Sequence, residues 1–249
     1  TSGRIYRLLF DRRGDLWAAA DGGGLLKGQG QGTKWTFQHQ TLPEGTATER
    51  IQDLFEDASG RLWATGEKGL VMWDGKAWHR YTSRDGLRND HLDYVRGTRA
   101  GDLIISYFDP LGLCRATFAN GTFKVIEHLD RVFPPEKVIY QYTEDAKGNF
   151  WVGTGQGLTL ISPDGRTEQF GRGEGLLSED TNAMAVLPEP NGDLWIGTSG
   201  GLARFDAAAY KGAPQHPATV LLDCRLGGKV FPVVSPEPSR VPHAANTFT

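Results

Sequence analysis

The sequence predicts an all-β fold, a β-propeller of about five four-stranded blades. Three observations carry this expectation. A turn-plus-tryptophan motif recurs along the chain, a Gly-Leu pair follows each copy, and the composition is rich in turn formers. The chain holds 33 glycines and 13 prolines in 249 residues, which suits many short strands rather than long helices. With 39% hydrophobic and 23% charged residues, a folded chain with a sizeable core is expected.

The motif reads Asp11-Arg12-Arg13-Gly14-Asp15-Leu16-Trp17, Asp57-Ala58-Ser59-Gly60-Arg61-Leu62-Trp63, Asp145-Ala146-Lys147-Gly148-Asn149-Phe150-Trp151 and Glu189-Pro190-Asn191-Gly192-Asp193-Leu194-Trp195. A degraded copy, Thr98-Arg99-Ala100-Gly101-Asp102-Leu103-Ile104, lies between the second and third of these. The anchors at 17, 63, 104, 151 and 195 are 46, 41, 47 and 44 residues apart, the length of one four-stranded blade. Each is followed by a Gly-Leu pair, at Gly24-Leu25, Gly69-Leu70, Gly112-Leu113, Gly157-Leu158 and Gly201-Leu202.

Each part has a physical reason. The turn aspartate can accept from backbone N–H groups two or three residues on. The glycine four positions into the turn can take a positive φ. Leu and Trp then point to opposite faces of the second strand, both apolar because a blade is covered on both sides. Small residues after the Trp, such as Gly153-Thr154 and Gly197-Thr198, allow close blade packing.

Strands are expected near 5–11, 16–20, 25–28 and 35–39 in blade one, and near 50–57, 62–65, 70–73 and 78–81 in blade two. Blade three should use 92–98, 103–108, 113–117 and 123–127, and blade four 138–145, 150–154, 158–162 and 167–170. Blade five offers 181–188, 194–198 and 202–205 without a clear fourth strand, and Asp206-Lys211 could make a helical turn. The blades divide at about 1–46, 47–88, 89–134, 135–178 and 179–212. From 213 to 249 the composition changes to proline-rich, with two strands, Thr219-Leu226 and Lys229-Val233, around a Gly227-Gly228 hairpin.

The motif resembles the two-component regulator propeller repeat, whose pattern runs Asp-x-x-Gly-x-Leu-Trp-Ile-Gly-Thr-x-x-Gly-Leu. Glu189 to Leu202 departs from it only at the first residue, and Asp145 to Leu158 only by Phe150 and Val152. Blade three lacks both the Asp and the Trp. A family-type blade-linking phrase stands at Asp85-Gly86-Leu87-Arg88-Asn89-Asp90 and again at Glu174-Gly175-Leu176-Leu177-Ser178-Glu179-Asp180. The resemblance covers about residues 4–206. Residues 213–249 resemble the start of the immunoglobulin-like (Y_Y_Y) domain that follows such propellers, through the proline-rich opening, Leu226-Gly227-Gly228-Lys229 and Asn246-Thr247-Phe248. The resemblance implies the extracytoplasmic, periplasmic input region of a membrane-anchored receptor. Its output module would be a histidine kinase or diguanylate cyclase, its ligand often a carbohydrate, and the repeats themselves non-catalytic. Family propellers usually have seven blades or more, so five blades read as an incomplete fragment of a larger propeller. The opening Thr1-Ser2-Gly3, with no methionine, fits a fragment too.

Other functions find little support in the residues. A formal net charge of -3 without a basic stripe gives no nucleic-acid footprint. The longest apolar stretches, such as Leu103 to Phe108, are strand-sized, and no signal peptide is present. No nucleophile elbow, His-Glu-x-x-His or P-loop occurs, and Gly153-Thr154-Gly155-Gln156-Gly157 reads as a hairpin rather than a phosphate cradle. His39, His79, His91, His128, His216 and His243 lack ligand spacing, so no metal and no cofactor are expected. Asp11, Asp57 and Asp145 are assigned to their own turns rather than to calcium, and Glu56-Asp57 and Glu144-Asp145 to the fold rather than to acid–base chemistry. Cys114 and Cys224 read as two buried unpaired thiols, with a disulfide as the alternative.

Trp17, Trp63, Trp151 and Trp195 are expected between blades. Trp35, Trp73 and Trp78 read as packing in outer strands, with a sugar-stacking platform as the alternative. A ligand would meet the loops entering each first strand and those joining strands two and three. The candidates are Arg50, Glu67, His91, Tyr107, Asp109, Lys137, Gln156 and Asn182, with the least repeat-like loop, Tyr107-Phe108-Asp109-Pro110, foremost. A non-catalytic sensor is the leading reading, and a homodimer is compatible with it. Two alternatives stand beside it. One is an interaction scaffold. The other is a lyase- or lactonase-type propeller enzyme, disfavoured because the inner strands read as mostly Ile, Leu, Val and Tyr.

Overall fold

The structure is a computed structural model that describes residues 4–44, 49–130, 138–210, 212, 224–226 and 229–231. Contacts divide the chain into two units, Thr1–Ala208 and Ala209–Thr249. The first is a β-propeller segment of five consecutive blades. Blade one is β1 Ile5–Phe10, β2 Leu16–Ala20, β3 Gly24–Gln31 and β4 Lys34–His39. Blade two is β5 Ile51–Glu56, β6 Leu62–Gly66, β7 Gly69–Trp73 and β8 Trp78–Tyr81. Blade three is β9 Leu92–Gly97, β10 Leu103–Tyr107, β11 Leu113–Ala119 and β12 Thr122–His128. Blade four is β13 Ile139–Glu144, β14 Phe150–Thr154, β15 Gly157–Ile161 and β16 Thr167–Phe170. Blade five has, among the described residues, β17 Thr181–Pro188, β18 Leu194–Thr198 and β19 Gly201–Phe205. Every blade is an antiparallel meander, and the expected helical turn after blade five is a plain turn at Ala207–Ala209. In the second unit β20 Cys224–Leu226 pairs with β21 Lys229–Phe231, and the rest of the two expected strands, 219–223 and 232–233, lies outside the described residues. Gly227-Gly228 and Asn246-Thr247-Phe248 lie outside the described residues.

The turn motif is a set of hydrogen bonds to one carboxylate. Asp57 accepts from the Ser59 and Arg61 N–H groups at 2.9 and 3.0 Å, and its other oxygen accepts from the Trp63 indole at 2.9 Å. Asp11 and Asp145 repeat this with Trp17 and Trp151 at 2.9 and 2.8 Å, and Glu189 reaches Trp195 at 3.1 Å. The backbone donors are thus two and four residues on, and the invariant six-residue step to the Trp places its N–H over the same carboxylate. In blade three both partners are replaced together. Thr98 keeps only the Asp102 N–H, at 3.1 Å, and Ile104 brings no indole to satisfy. The carboxylates before the turn tie neighbouring blades. Glu56 accepts from the Arg12 N–H of blade one, and Glu144 from the Arg99 N–H of blade three.

In blades two and four the glycine of the Gly-Leu pair makes room for the outermost strand. A Cβ on Gly69 or Gly157, both at positive φ, would stand 2.3 Å from the Tyr81 or Phe170 carbonyl oxygen.

Between blades the core repeats one arrangement. Trp17 packs on Leu54, Leu62 and Ala64 of blade two; Trp63 on Val95, Leu103 and Ile105 of blade three; Ile104 on Ile139, Tyr142 and Val152 of blade four; Trp151 on Leu194 and Ile196 of blade five. In each second strand the anchor faces the next blade and the residue before it faces the previous one. Trp195 is the exception. It is half-buried and lines a cavity, not an inter-blade core among the described residues. Trp73 and Trp78 pack with their rings tilted at 44° and 5.3 Å apart, and Trp78 meets Trp17 edge-on. Trp35 meets Phe10 edge-on at 5.7 Å, so all three outer tryptophans pack.

The linking phrases fold alike. Ser83–Asp85 and Arg172–Glu174 are single 3-10 turns, each closed by a glycine at positive φ. Leu87 and Leu176 then insert between blades two and three and between blades four and five. Cys114 is a free, buried thiol, and burial pushes it up to about 11.

Candidate functional site

Five first strands adjoin in the order β1, β5, β9, β13, β17 and line the centre. Each loses register against its neighbour near its start. Ile5 and Arg7, Ile51 and Asp53, and Ile139 and Gln141 flank one extra residue. Asp93 and Tyr94 together oppose a single residue, and β17 carries a longer irregularity between Thr181 and Val186. Such bulges re-aim side chains. They bring polar groups inward on strands whose neighbouring residues are apolar.

Asp53 is 0% exposed, and it forms ion pairs with Arg96 through one carboxylate oxygen and with Arg7 at 3.7 Å through the other. The Val95 N–H donates to it at 3.2 Å, and Arg96 also donates to the Val95 carbonyl at 2.6 Å. Two guanidiniums therefore share one carboxylate. Burial, then the Arg96 charge, shifts Arg7 down, while its own pairing with Asp53 works the other way. Asp93, on the same bulge side, is raised to about 7, first by burial and then by the charge of Asp53. Among the described residues, Arg7 Nε, Asp53 Oδ1, Gln52 Oε1 and both amide atoms of Gln141 are buried without a hydrogen-bond partner.

Arg7, Arg96 and Gln141 line a cavity of about 540 Å³. Met184, Val186, Leu187, Trp195 and Leu202 supply apolar surface to the same cavity. Met184 sits in the left-handed region at φ 56, an uncommon conformation for a non-glycine residue. Two cationic heads, an unsatisfied amide and an apolar wall can hold a small polar molecule by one end and its face. Among the described residues, no group of three His, Cys, Asp or Glu side chains could hold a metal ion.

On inner strands that read as mostly Ile, Leu, Val and Tyr, Arg7, Asp53, Arg96 and Gln141 are thus the polar minority the structure brings together. The loop residues chosen from sequence fall into separate places. Arg50 bonds Asp21 of blade one at 3.2 Å and meets Glu67 through its N–H at 3.4 Å. His91 stacks on Phe108 at 4.1 Å, with its Nε2 buried and unpartnered. Asp109, Gln156 and Asn182 are exposed, and Lys137 lies outside the described residues. Tyr107 is corrected. It is a core residue between blades two and three, where its hydroxyl accepts from the Arg88 N–H at 3.0 Å. Alternation along β10 puts the following ring, Phe108, outside instead. None of the seven described ones lines the cavity. The signal that finds the lining is a polar residue two places after the apolar start of a first strand, as in Ile5-Tyr6-Arg7, Ile51-Gln52-Asp53 and Ile139-Tyr140-Gln141.

No family model matches the chain. Histidine kinase P4 of Formosa agariphila is 24% identical over 231 residues, covering 88% of this chain and 16% of the kinase. The extracellular domain of a one-component system of B. thetaiotaomicron superposes with a TM-score of 0.65 at 19% identity, over 86% of this chain and 29% of that one. Virginiamycin B lyase from Staphylococcus aureus superposes with a TM-score of 0.57 at 15% identity, over 81% of this chain and 69% of the lyase. At these identities the structural likeness is one of fold, shared by signalling and catalytic propellers. The chain spans less than a third of the first two proteins.

Proposed function

We propose that the chain is a ligand-binding sensor module, the extracytoplasmic part of a bacterial signal-transduction receptor, with carbohydrate as its ligand class. The observation that carries the reading is the central cavity, where inner-strand bulges gather Arg7, Arg96 and an unpartnered Gln141 against an apolar wall. Buried polar groups without partners cost stability, so their grouping in a cavity marks a place built for something other than packing. Support from outside the chain comes from the kinase and the extracellular domain it resembles, both named for signalling. In this role the chain binds and reports without turning its ligand over.

A thermal-shift panel of neutral and acidic sugars, followed by calorimetry on the hits, tests the reading. Ligands that bind should stabilise the fold in proportion to their occupancy. Leu202→Trp adds an indole at the cavity wall from a largely exposed position, so it should remove binding while leaving folding intact. Undiminished binding by Leu202→Trp would reject the cavity as the site. Absence of any stabilising sugar would reject the carbohydrate class.

A further inference from the structure

We infer that the occupant of the central cavity carries a carboxylate, held between Arg7 and Arg96. The inference rests on the cavity being the ligand site and adds the chemistry of the ligand.

The charge balance is the first argument. Arg7 and Arg96 share Asp53 as their ion-pair carboxylate, which leaves one positive charge in excess there within a chain whose formal net charge is -3. Asp93 is the other titratable carboxylate nearby. Its raised pKa, about 7, makes it a weak source of compensating charge at neutral pH. The second argument is donor geometry. Asp53 is fully buried behind the pair and faces the buried Arg7 Nε at 3.7 Å, whereas the Arg7 side chain as a whole is 34% exposed and lines the cavity. A guanidinium presents donors in a planar fork that matches a carboxylate. The third is Gln141, 5% exposed and lining the same space with both amide atoms unpartnered. It can donate to a carboxylate oxygen and accept from a neighbouring hydroxyl. The apolar residues of the same cavity, Met184, Val186 and Trp195, offer a surface for the body of the ligand. The volume of about 540 Å³ lies within the range of small-molecule sites, roughly 300–1,000 Å³. A uronic acid combines these features.

Calorimetry with galacturonate and glucuronate, against galactose and glucose, tests this on the full chain. The acids should bind at least tenfold more tightly than the neutral sugars, and rising salt should weaken them. Arg7→Gln leaves the Asp53–Arg96 pair intact and should lower affinity for the acids at least tenfold without changing that for neutral sugars. Arg7→Lys, which keeps the charge and loses the fork, should fall between. Equal binding of the acids by wild type and Arg7→Gln would overturn the inference, as would failure of both acids to bind. If the neutral sugars bind as tightly as the acids and Leu202→Trp abolishes both, the sensor site stands and the carboxylate does not.

Discussion

The indole-to-carboxylate bond of the repeat should be worth measurable stability in every blade that has it and nothing in blade three. Blade four gives the cleanest test. Asp145 is buried, and its carboxylate accepts from the Lys147 N–H at 2.8 Å, the Asn149 N–H at 2.9 Å, the Asn149 side-chain amide at 2.8 Å and the Trp151 indole at 2.8 Å. In Asp145→Ala the turn donors lie near solvent and can be rehydrated, at about 0.5–1.5 kcal/mol each. The indole cannot, because Trp151 is packed against Phe170 and Phe205. An orphaned buried donor costs about 1–3 kcal/mol, so with its three turn donors the variant should lose about 3–7 kcal/mol in all. Trp151→Phe removes the indole N–H along with some volume, for about 2–3 kcal/mol. The double variant leaves no orphan and should be less damaged than the sum by about 1.5–2 kcal/mol. Urea unfolding of wild type, both single variants and the double variant measures this. Thr98→Ala is the internal control and should lose under about 1 kcal/mol, since Thr98 holds one backbone N–H. A coupling below about 0.5 kcal/mol would refute the idea that carboxylate and indole act as a unit.

Three further outcomes are expected. Asp93 titrates at about 7 in the fold against an ordinary 3.8, so the folded chain retains a proton that the unfolded chain has lost. Stability should therefore fall as pH rises from about 4 to about 7, by at most about 4 kcal/mol, and Asp93→Asn should flatten this slope in denaturation curves taken across that range; an unchanged slope would disprove it. Gly153→Ala should cost about 1–3 kcal/mol in the same assay, because the new Cβ would stand 2.4 Å from Thr181 Oγ1 and 2.8 Å from the Gln141 side chain. Tyr107→Phe should destabilise by about 1–2 kcal/mol through the lost Arg88 acceptor while leaving cavity binding unchanged; a specific loss of binding would return Tyr107 to the site.

The blades were legible because their determinants are local and repeated. A six-residue step from Asp57 to Trp63 encodes a hydrogen bond, and Gly69 encodes a close carbonyl, so spacing alone reveals both. Even the degraded blade three was readable, because Thr98 and Ile104 replace two partners that depend on each other. The cavity was not legible, for the opposite reason. Arg7, Asp53 and Gln141 hold the same position in three blades, but each is a different residue type, and Arg96 stands at another position of a fourth, so no repeated letter marks them and they meet only after the blades have packed. The bulges hid them further. An inserted residue reverses the alternation of a strand, so counting inward and outward positions from either end of β5 gives opposite answers for Asp53. Tyr107 misled for a related reason. It stands at the register shift that ends β10, and its ring turns into the core between blades two and three while Phe108 is exposed.

The two ends of each blade differ in how freely they can change. At the end bearing the Asp-x-x-Gly turns, the aspartate, glycine and tryptophan constrain one another, so a single substitution there breaks several bonds at once. At the opposite end a first strand enters through a bulge, and the residue just after it, Arg7, Asp53 or Gln141, pairs with a small residue of the second strand, Ala19, Thr65 or Gly153. Substitution just after a bulge can therefore revise the chemistry facing the centre without replacing the apolar residues packed between blades. A scaffold divided in this way can acquire a new ligand through a few inner-strand changes, with its blade interfaces left as they are.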